Sequence, residues 1–412
     1  MKIIVIFILF LVTGFSFLLK YLNYARRNAP IPINVSDVYD EETYKKQTVY
    51  KMDNLRFSIV SGIVGLVITL VYLVFNFHHC IYSCAGTENI YFMSYAILGT
   101  IFAITYIIGT IFNGYGTFII EEKHGFNKTS VKTFITDQLK NLIINVIILF
   151  GLLSLFIWLY TLLNDWVFLA FYFVLALLLL CFSVLLHQLT KIFNKFTPLD
   201  DGELKDKVME LATKVGYSIK RVLVMDASKR SKHLNAYATG IGNTKTIVLY
   251  DTLIQRMEPD EVVAVLAHEI AHSKMKHVLL GYFMNLVTFA FLVGIGYYAI
   301  TCSIFSEAFG FEQTNIAFGI YILGIISAPI MIVLNIPVSF ILRKFEYSAD
   351  KLAAEYHNAQ SMVNALKKLA REDYANLTPH PFVVAAQYSH PPIHERIAAL
   401  GDGFEILPFT KG

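Results

Sequence analysis

The sequence predicts an α-helical, multi-pass membrane protein with a small α+β lobe between its fifth and sixth apolar segments. Three observations predict it. Of 412 residues, 56% are hydrophobic and only 16% charged, and the mean hydropathy is +0.55, which is too apolar for a soluble chain of this length. A membrane crossing needs about 20 mostly apolar residues, and seven segments qualify, at roughly 3–23, 57–77, 91–113, 142–163, 166–187, 278–304 and 317–342. Lys and Arg concentrate in alternate loops, so all seven fit one alternating orientation.

The first segment follows Lys2 but has a long apolar core with no small-x-small cleavage site before Lys20, and it reads as an anchor. Arg26, Arg27, Lys45, Lys46 and Lys51 follow it, Lys123, Lys128, Lys132 and Lys140 lie between the third and fourth segments, and Lys191 and Lys195 follow the fifth. These loops belong in the cytosol. Loops 78–90, 164–165 and 305–316 hold no Lys or Arg and belong in the lumen or outside, so the N-terminus is lumenal and the C-terminus cytosolic. The sequons at Asn34, Asn127 and Asn376 then face the cytosol, and no N-glycan is expected. The net charge of +3, placed at membrane flanks, gives no sign of nucleic acid as a partner; the expected surroundings are lipid. Cys80, Cys84, Cys181 and Cys302 have no C-x-x-C spacing and set no disulfide framework, although a Cys80–Cys84 bridge in an oxidising lumen stays open.

The chain divides into 1–190 (five membrane helices with their loops), 191–277 (the lobe), 278–343 (two further membrane helices) and 344–412 (a cytosolic C-terminal part). In the lobe, Phe196 to Gly202 is turn-rich, Glu203 to Val215 has helical periodicity, and Arg221 to Met225 and Thr246 to Tyr250 read as strands. Pro259, followed by Asp260 and Glu261, starts a helix that is expected to run on towards the sixth segment.

That helix carries His268-Glu269-Ile270-Ala271-His272. Residues four apart share a helical face, so two imidazoles can converge on one metal ion while Glu269 acts as general base towards a water there. Chance supplies H-E-x-x-H in roughly one or two chains in a hundred of this length, so context must decide. A catalytic zinc needs three protein ligands. Glu346, just after the seventh segment, is the third candidate, and Asp350, one turn on, is placed to fix a ligand histidine's tautomer. On spacing alone, those carboxylates read equally well as a solvated helix start. His277 lies off the ligand face, at the interface or behind a ligand. His390 and Arg396, near Pro391-Pro392, are candidate donors to an oxyanion, though such a histidine is more often a surface residue.

Several separated blocks resemble one family. They are Phe118 to Lys128, Lys229-Arg230-Ser231 with His233 to Tyr237, Ile247 to Leu253, the H-E-x-x-H, Arg343 to Asp350, and Ser389-His390-Pro391-Pro392 with Glu395-Arg396. In this order they are similar to the type 1 CAAX prenyl proteases, integral-membrane zinc metallopeptidases that process farnesylated proteins. The resemblance implies seven helices forming a barrel around a hydrated chamber, with one zinc at its cytosolic end. It implies removal of the C-terminal tripeptide from prenylated CAAX substrates in the endoplasmic reticulum or inner nuclear membrane, and leaves a second upstream cut and the oligomeric state open. By carry-over, His268, His272 and Glu346 are the ligands, Glu269 the base, and His390 and Arg396 substrate-side groups. Asn235, Ala236 and Tyr237 resemble the edge strand that holds substrate backbone. The Glu121 to Lys128 block is expected to be structural.

Ala267, Ala271, Ser273 and Leu234 depart from the family's usual residues, which points to a divergent paralogue with an altered substrate range. The competing readings are a membrane quality-control protease, an inactive pseudoprotease scaffold and a solute transporter. Seven segments and the His390 block oppose the first, Glu269 the second, and polar residues gathered at one face the third.

Overall fold

The computed structural model describes residues 1–86, 89–239 and 245–401. Its apolar helices are α1 (Lys2–Ala25), α2 (Glu41–Val74), α4 (Ile90–Tyr115), α5 (Val131–Leu163), α6 (Val167–Thr190), α10 (His277–Thr301) and α12 (Ile316–Tyr356). Among the described residues six stretches are long and apolar enough to cross a membrane, and one of them, Val131–Phe182, runs 52 residues. That stretch is two helices. Asn164 has φ +47°, and the Phe156 ring meets the rings of Phe168 and Phe171 at 5.8 and 5.1 Å, so the chain folds back there. In a continuous helix residues 15 apart would be about 22 Å away.

Three helices extend well past the apolar segments read from the sequence, α5 among them, which starts at Val131 with the Ser130 side chain accepting from Thr133 N. Glu41–Arg56 joins α2 because Asp40 accepts from Thr43 N and caps it, and Lys45 and Lys46 pair with Glu41 and Glu42 one turn back. The 41-residue α12 stays helical through Pro329 and Pro337 and carries Glu346 and Asp350 beyond its apolar part. Short helices α3 (Phe77–Ala85) and α11 (Ser303–Ala308) fill loops read as irregular. In α3, Cys80 and Cys84 are free thiols.

The lobe holds a four-stranded sheet among the described residues, in the order β1 (Phe196–Pro198), β2 (Arg221–Met225), β4 (Thr246–Tyr250), β3 (Ala236–Thr239). The helix α7 (Glu203–Lys214) and strands β2 and β4 stand where periodicity placed them. Phe196 to Pro198, read as a turn, is instead a strand antiparallel to β2, because Leu223 to Met225 supply the backbone partners that local sequence cannot reveal. The lobe core is one cluster that draws in Val35 and Val38 after α1, Leu211, Ile247 and Leu249, Leu266, Ala353 of α12, Leu366 and Leu400. Segments 191–277 and 344–401 therefore share one core, which is closed by α13 (Ala359–Glu372), α14 (Pro381–Gln387) and α15 (Ile393–Gly401).

The block read as structural after α4 locks the lobe to the membrane helices. This block, Glu121 to Lys128, follows a π-helical turn, Gly116–Glu121, and its Lys128 N donates to Arg230 O at 3.0 Å. Arg230 Nε and Nη2 reach Asp137 of α5 at 2.8 and 3.1 Å, and the same guanidinium holds Asn194 Oδ1 and Phe193 O.

Candidate metal centre and active site

The helix α9 (Pro259–Lys274) starts with Pro259 at its first turn and a reciprocal Glu258–Glu261 capping box. It is the most deeply buried lobe helix, with Ala267 and Ala271 fully enclosed, so their methyl groups fill packing space in the core. It does not run on into α10. Lys276 takes φ +59°, turning the chain so that α10 leaves in a new direction. This turn also returns His277 to the motif, with its Nδ1 3.0 Å from His272 Nδ1 and its ring stacked on Phe345 at 4.1 Å. Periodicity along one helix could not show this contact.

Helix α12 brings Glu346 opposite the motif. His268 Nε2 and His272 Nε2 are 3.0 Å apart, and Glu346 oxygens lie 3.3 Å from His272 Nε2 and 3.6 Å from His268 Nε2. One donor atom from each of the three falls within 4.8 Å of the others. Two imidazole lone pairs and a carboxylate facing one point need a shared cation, and three protein donors with one side open match a catalytic zinc. The ligands' other nitrogens are engaged as well. His268 Nδ1 stands 2.8 Å from Asp350 Oδ1, a close approach in which the carboxylate favours the proton on Nδ1 and the lone pair on Nε2. The His277 contact can do the same for His272.

Arg396, from α15, is buried and gives Asp350 a two-pronged ion pair, Nε to Oδ2 at 2.7 Å and Nη2 to Oδ1 at 2.6 Å, while its Nη1 lies 3.4 Å from Glu346 Oε2. The guanidinium thus braces both carboxylates. His390 is exposed, with Nδ1 2.9 Å from the same Glu346 oxygen, and that contact raises its imidazole pKa.

A cavity of about 140 Å³ joins these groups, lined by His268, Glu269, Glu346, His390, Arg396 and Asn235. Burial pushes the Glu269 carboxyl above its usual range, more than the neighbouring histidines pull it down. Leu234, Asn235 and Ala236 form the cavity's sheet side, and β3 is the edge strand, paired only with β4 among the described residues. Asn235 O accepts from Tyr250 N, and its side-chain oxygen accepts from Ala236 N. Tyr237 turns away from the cavity and puts its hydroxyl 3.4 Å from Thr190 Oγ1. The opposite wall, Met362, Leu366 and Leu369 of α13, was not singled out in the sequence, although its three- and four-residue spacing marks an apolar face.

The profile of peptidase family M48 matches residues 198–402. That of the CAAX prenyl protease N-terminal region, five membrane helices, matches residues 20–195. The chain is 32% identical over 387 residues to the CAAX prenyl protease 1 homolog of Arabidopsis thaliana, with 90% of each covered. It is 30% identical over 428 residues to CAAX prenyl protease 1 of Saccharomyces cerevisiae, covering 95% of this chain and 93% of that one. Its fold matches the crystal structure of S. mikatae Ste24p with a TM-score of 0.91 at 29% identity, covering 97% of this chain and 98% of the other.

Proposed function

The chain belongs to peptidase family M48, in its CAAX prenyl protease 1 branch, and is a multi-pass membrane metallopeptidase; from that premise we propose that it removes the C-terminal tripeptide from farnesylated C-a-a-X proteins at the cytosolic face of the endoplasmic reticulum. The observation that carries the reading is the convergence of His268, His272 and Glu346 beside Glu269, in one cavity with the edge strand β3.

Bound among those three side chains, zinc would supply the Lewis acid that polarises the scissile carbonyl and acidifies water. Glu269 takes the proton of the attacking water and delivers it to the leaving amine, and the burial that raises its pKa favours its holding that proton between the two transfers. His390 offers its imidazole to the oxyanion. Arg396 and Asp350 hold Glu346 and His268 in place, and β3 aligns the substrate backbone through its open edge.

The membrane part supports the same reading. At most 33% of any span's most apolar window is buried, and Asn145, Asn285 and Asn335, within spans, are exposed. Asparagine facing lipid is costly, so these side chains face water enclosed by the helices. With α5 and α6 as separate crossings, seven helices surround that chamber.

The test is hydrolysis of a farnesylated C-a-a-X peptide beside a non-prenylated control by purified protein holding one zinc. Glu269→Ala keeps the zinc and loses about 10²–10⁴-fold in kcat, whereas His268→Ala and Glu346→Ala lose both. Wild-type turnover by Glu269→Ala refutes the assignment.

A further inference from the structure

Between α1 and α2, near their predicted cytosolic ends, lies a second cavity of about 400 Å³ lined by Lys20, Arg27, Lys51, Asn54, Asn376 and Tyr388 among others. Three of the lining side chains are cations and none is an acid among the described residues. Among the described residues Lys20 Nζ donates to the Ser58 carbonyl at 3.1 Å and lies over the Phe17 ring at 5.5 Å, with no acid beside it. Arg27 stacks over the Tyr24 ring at 4.0 Å and donates to that residue's carbonyl at 3.2 Å. Lys51 makes no hydrogen bond or ion pair among the described residues. Asp373, which acts electrostatically on Lys51, is itself paired with His233 Nδ1 at 2.7 Å. Clustered cations in a partly enclosed wall without a carboxylate repel one another unless an anion joins them.

We propose that this cavity receives the free α-carboxylate of the peptide substrate, so that Lys51, with Lys20 and Arg27, measures the distance from scissile bond to chain end. The inference rests on the substrate reading above and adds to it the group that sets where the cut falls. Tyr388 lines this cavity and His390 lines the active-site cavity, and two residues place their Cα atoms no more than about 7 Å apart. A tripeptide beyond the scissile bond spans roughly 10 Å when extended. The two cavities are therefore neighbours, within reach of the three residues that follow the cut, whose terminal carboxylate would meet the cations.

The experiment compares farnesylated C-a-a-X peptides ending in a carboxylate or a carboxamide, in lipid-free detergent and with added phosphatidylserine. Loss of one charge-assisted contact lowers kcat/KM by roughly ten- to a hundred-fold, so wild type should prefer the acid by that factor, and Lys51→Met should bring the acid-to-amide ratio close to one. Because the ratio is taken within each protein, a partly unfolded variant does not imitate the result. Equal cleavage of the two peptides by wild type overturns the carboxylate site and leaves the substrate reading standing. No cleavage of either overturns both. A wild-type ratio near one with phosphatidylserine activation that Lys51→Met abolishes assigns the cavity to a lipid phosphate and overturns the proposal.

Discussion

Replacing Asp350 with Asn separates two jobs that one carboxylate performs. Asp350 is 2% exposed and Arg396 8%, and their contacts are 2.6 and 2.7 Å. Removing the negative charge leaves a buried guanidinium without its counter-ion, which costs about 3–5 kcal/mol, with the lower end expected because the Asn carbonyl still accepts one bond. For a lobe of this size that is a fall of roughly 6–12 °C in apparent Tm. Separately, His268 Nδ1 loses the acceptor at 2.8 Å, and zinc affinity should fall about 10–100-fold. The double variant Asp350→Asn with Arg396→Gln removes the orphaned charge, so it should regain much of the lost Tm but none of the zinc affinity. Differential scanning fluorimetry and zinc competition against a chromophoric chelator read the two quantities independently. A single variant that binds zinc within about threefold of wild type would refute the orienting role. Strictly additive Tm losses would refute the coupling.

Three further outcomes follow from the geometry. Glu269 must be ionised to accept a proton and its folded pKa is raised by burial, so kcat/KM should fall as pH drops through that raised value; with zinc content checked at each pH, an acid limb at or below about 4.3, the ordinary glutamate value, contradicts this. A Cβ at Gly319 would stand 2.8 Å from Ile300 Cα and 2.9 Å from Ala299 O, so Gly319→Ala should cost about 1–3 kcal/mol or more, while Gly324→Ala, which meets nothing within 4 Å, should not destabilise; equal melting curves would show that α10 and α12 do not meet there. Arg230→Leu removes the lobe's tie to Asp137 of α5 and its own hold on Asn194 and Phe193, and hydrogen exchange around residues 126–128 and 193–195 should speed up while α9 stays protected.

What the sequence made legible was what repeats or alternates locally. The apolar segments, the α7 periodicity, the β-rich runs of β2 and β4 and the i,i+4 histidines are local patterns, and each falls in its expected element, although α2, α5 and α12 run on beyond their apolar segments. Contacts made across the fold were not legible. β1 depends on a backbone partner about 27 residues away, and Phe-Thr-Pro carries no strand signal of its own. His277 reaches His272 only because Lys276 adopts a left-handed backbone, and a lysine does not announce that. Arg396 was expected on the substrate side and lines the active-site cavity, but its ion pair with Asp350 is one that no spacing over 46 residues reveals. Tyr237 belonged to a recognisable segment, but strand alternation sends its side chain to the face opposite Ala236, where it packs beside Val248 and Tyr250.

The length of α12 makes it a lever. Its first turn is at Ile316 and Glu346 sits about 45 Å along the same rod, so a tilt of about 1° about the far end displaces the carboxylate by roughly 0.8 Å relative to the histidines of α9. Misplacement of that order is enough to cost a large part of a catalytic rate. A bilayer mismatch that this helix met by tilting would move a metal ligand, and Pro329 and Pro337 are the two points where the rod can flex and absorb the difference instead.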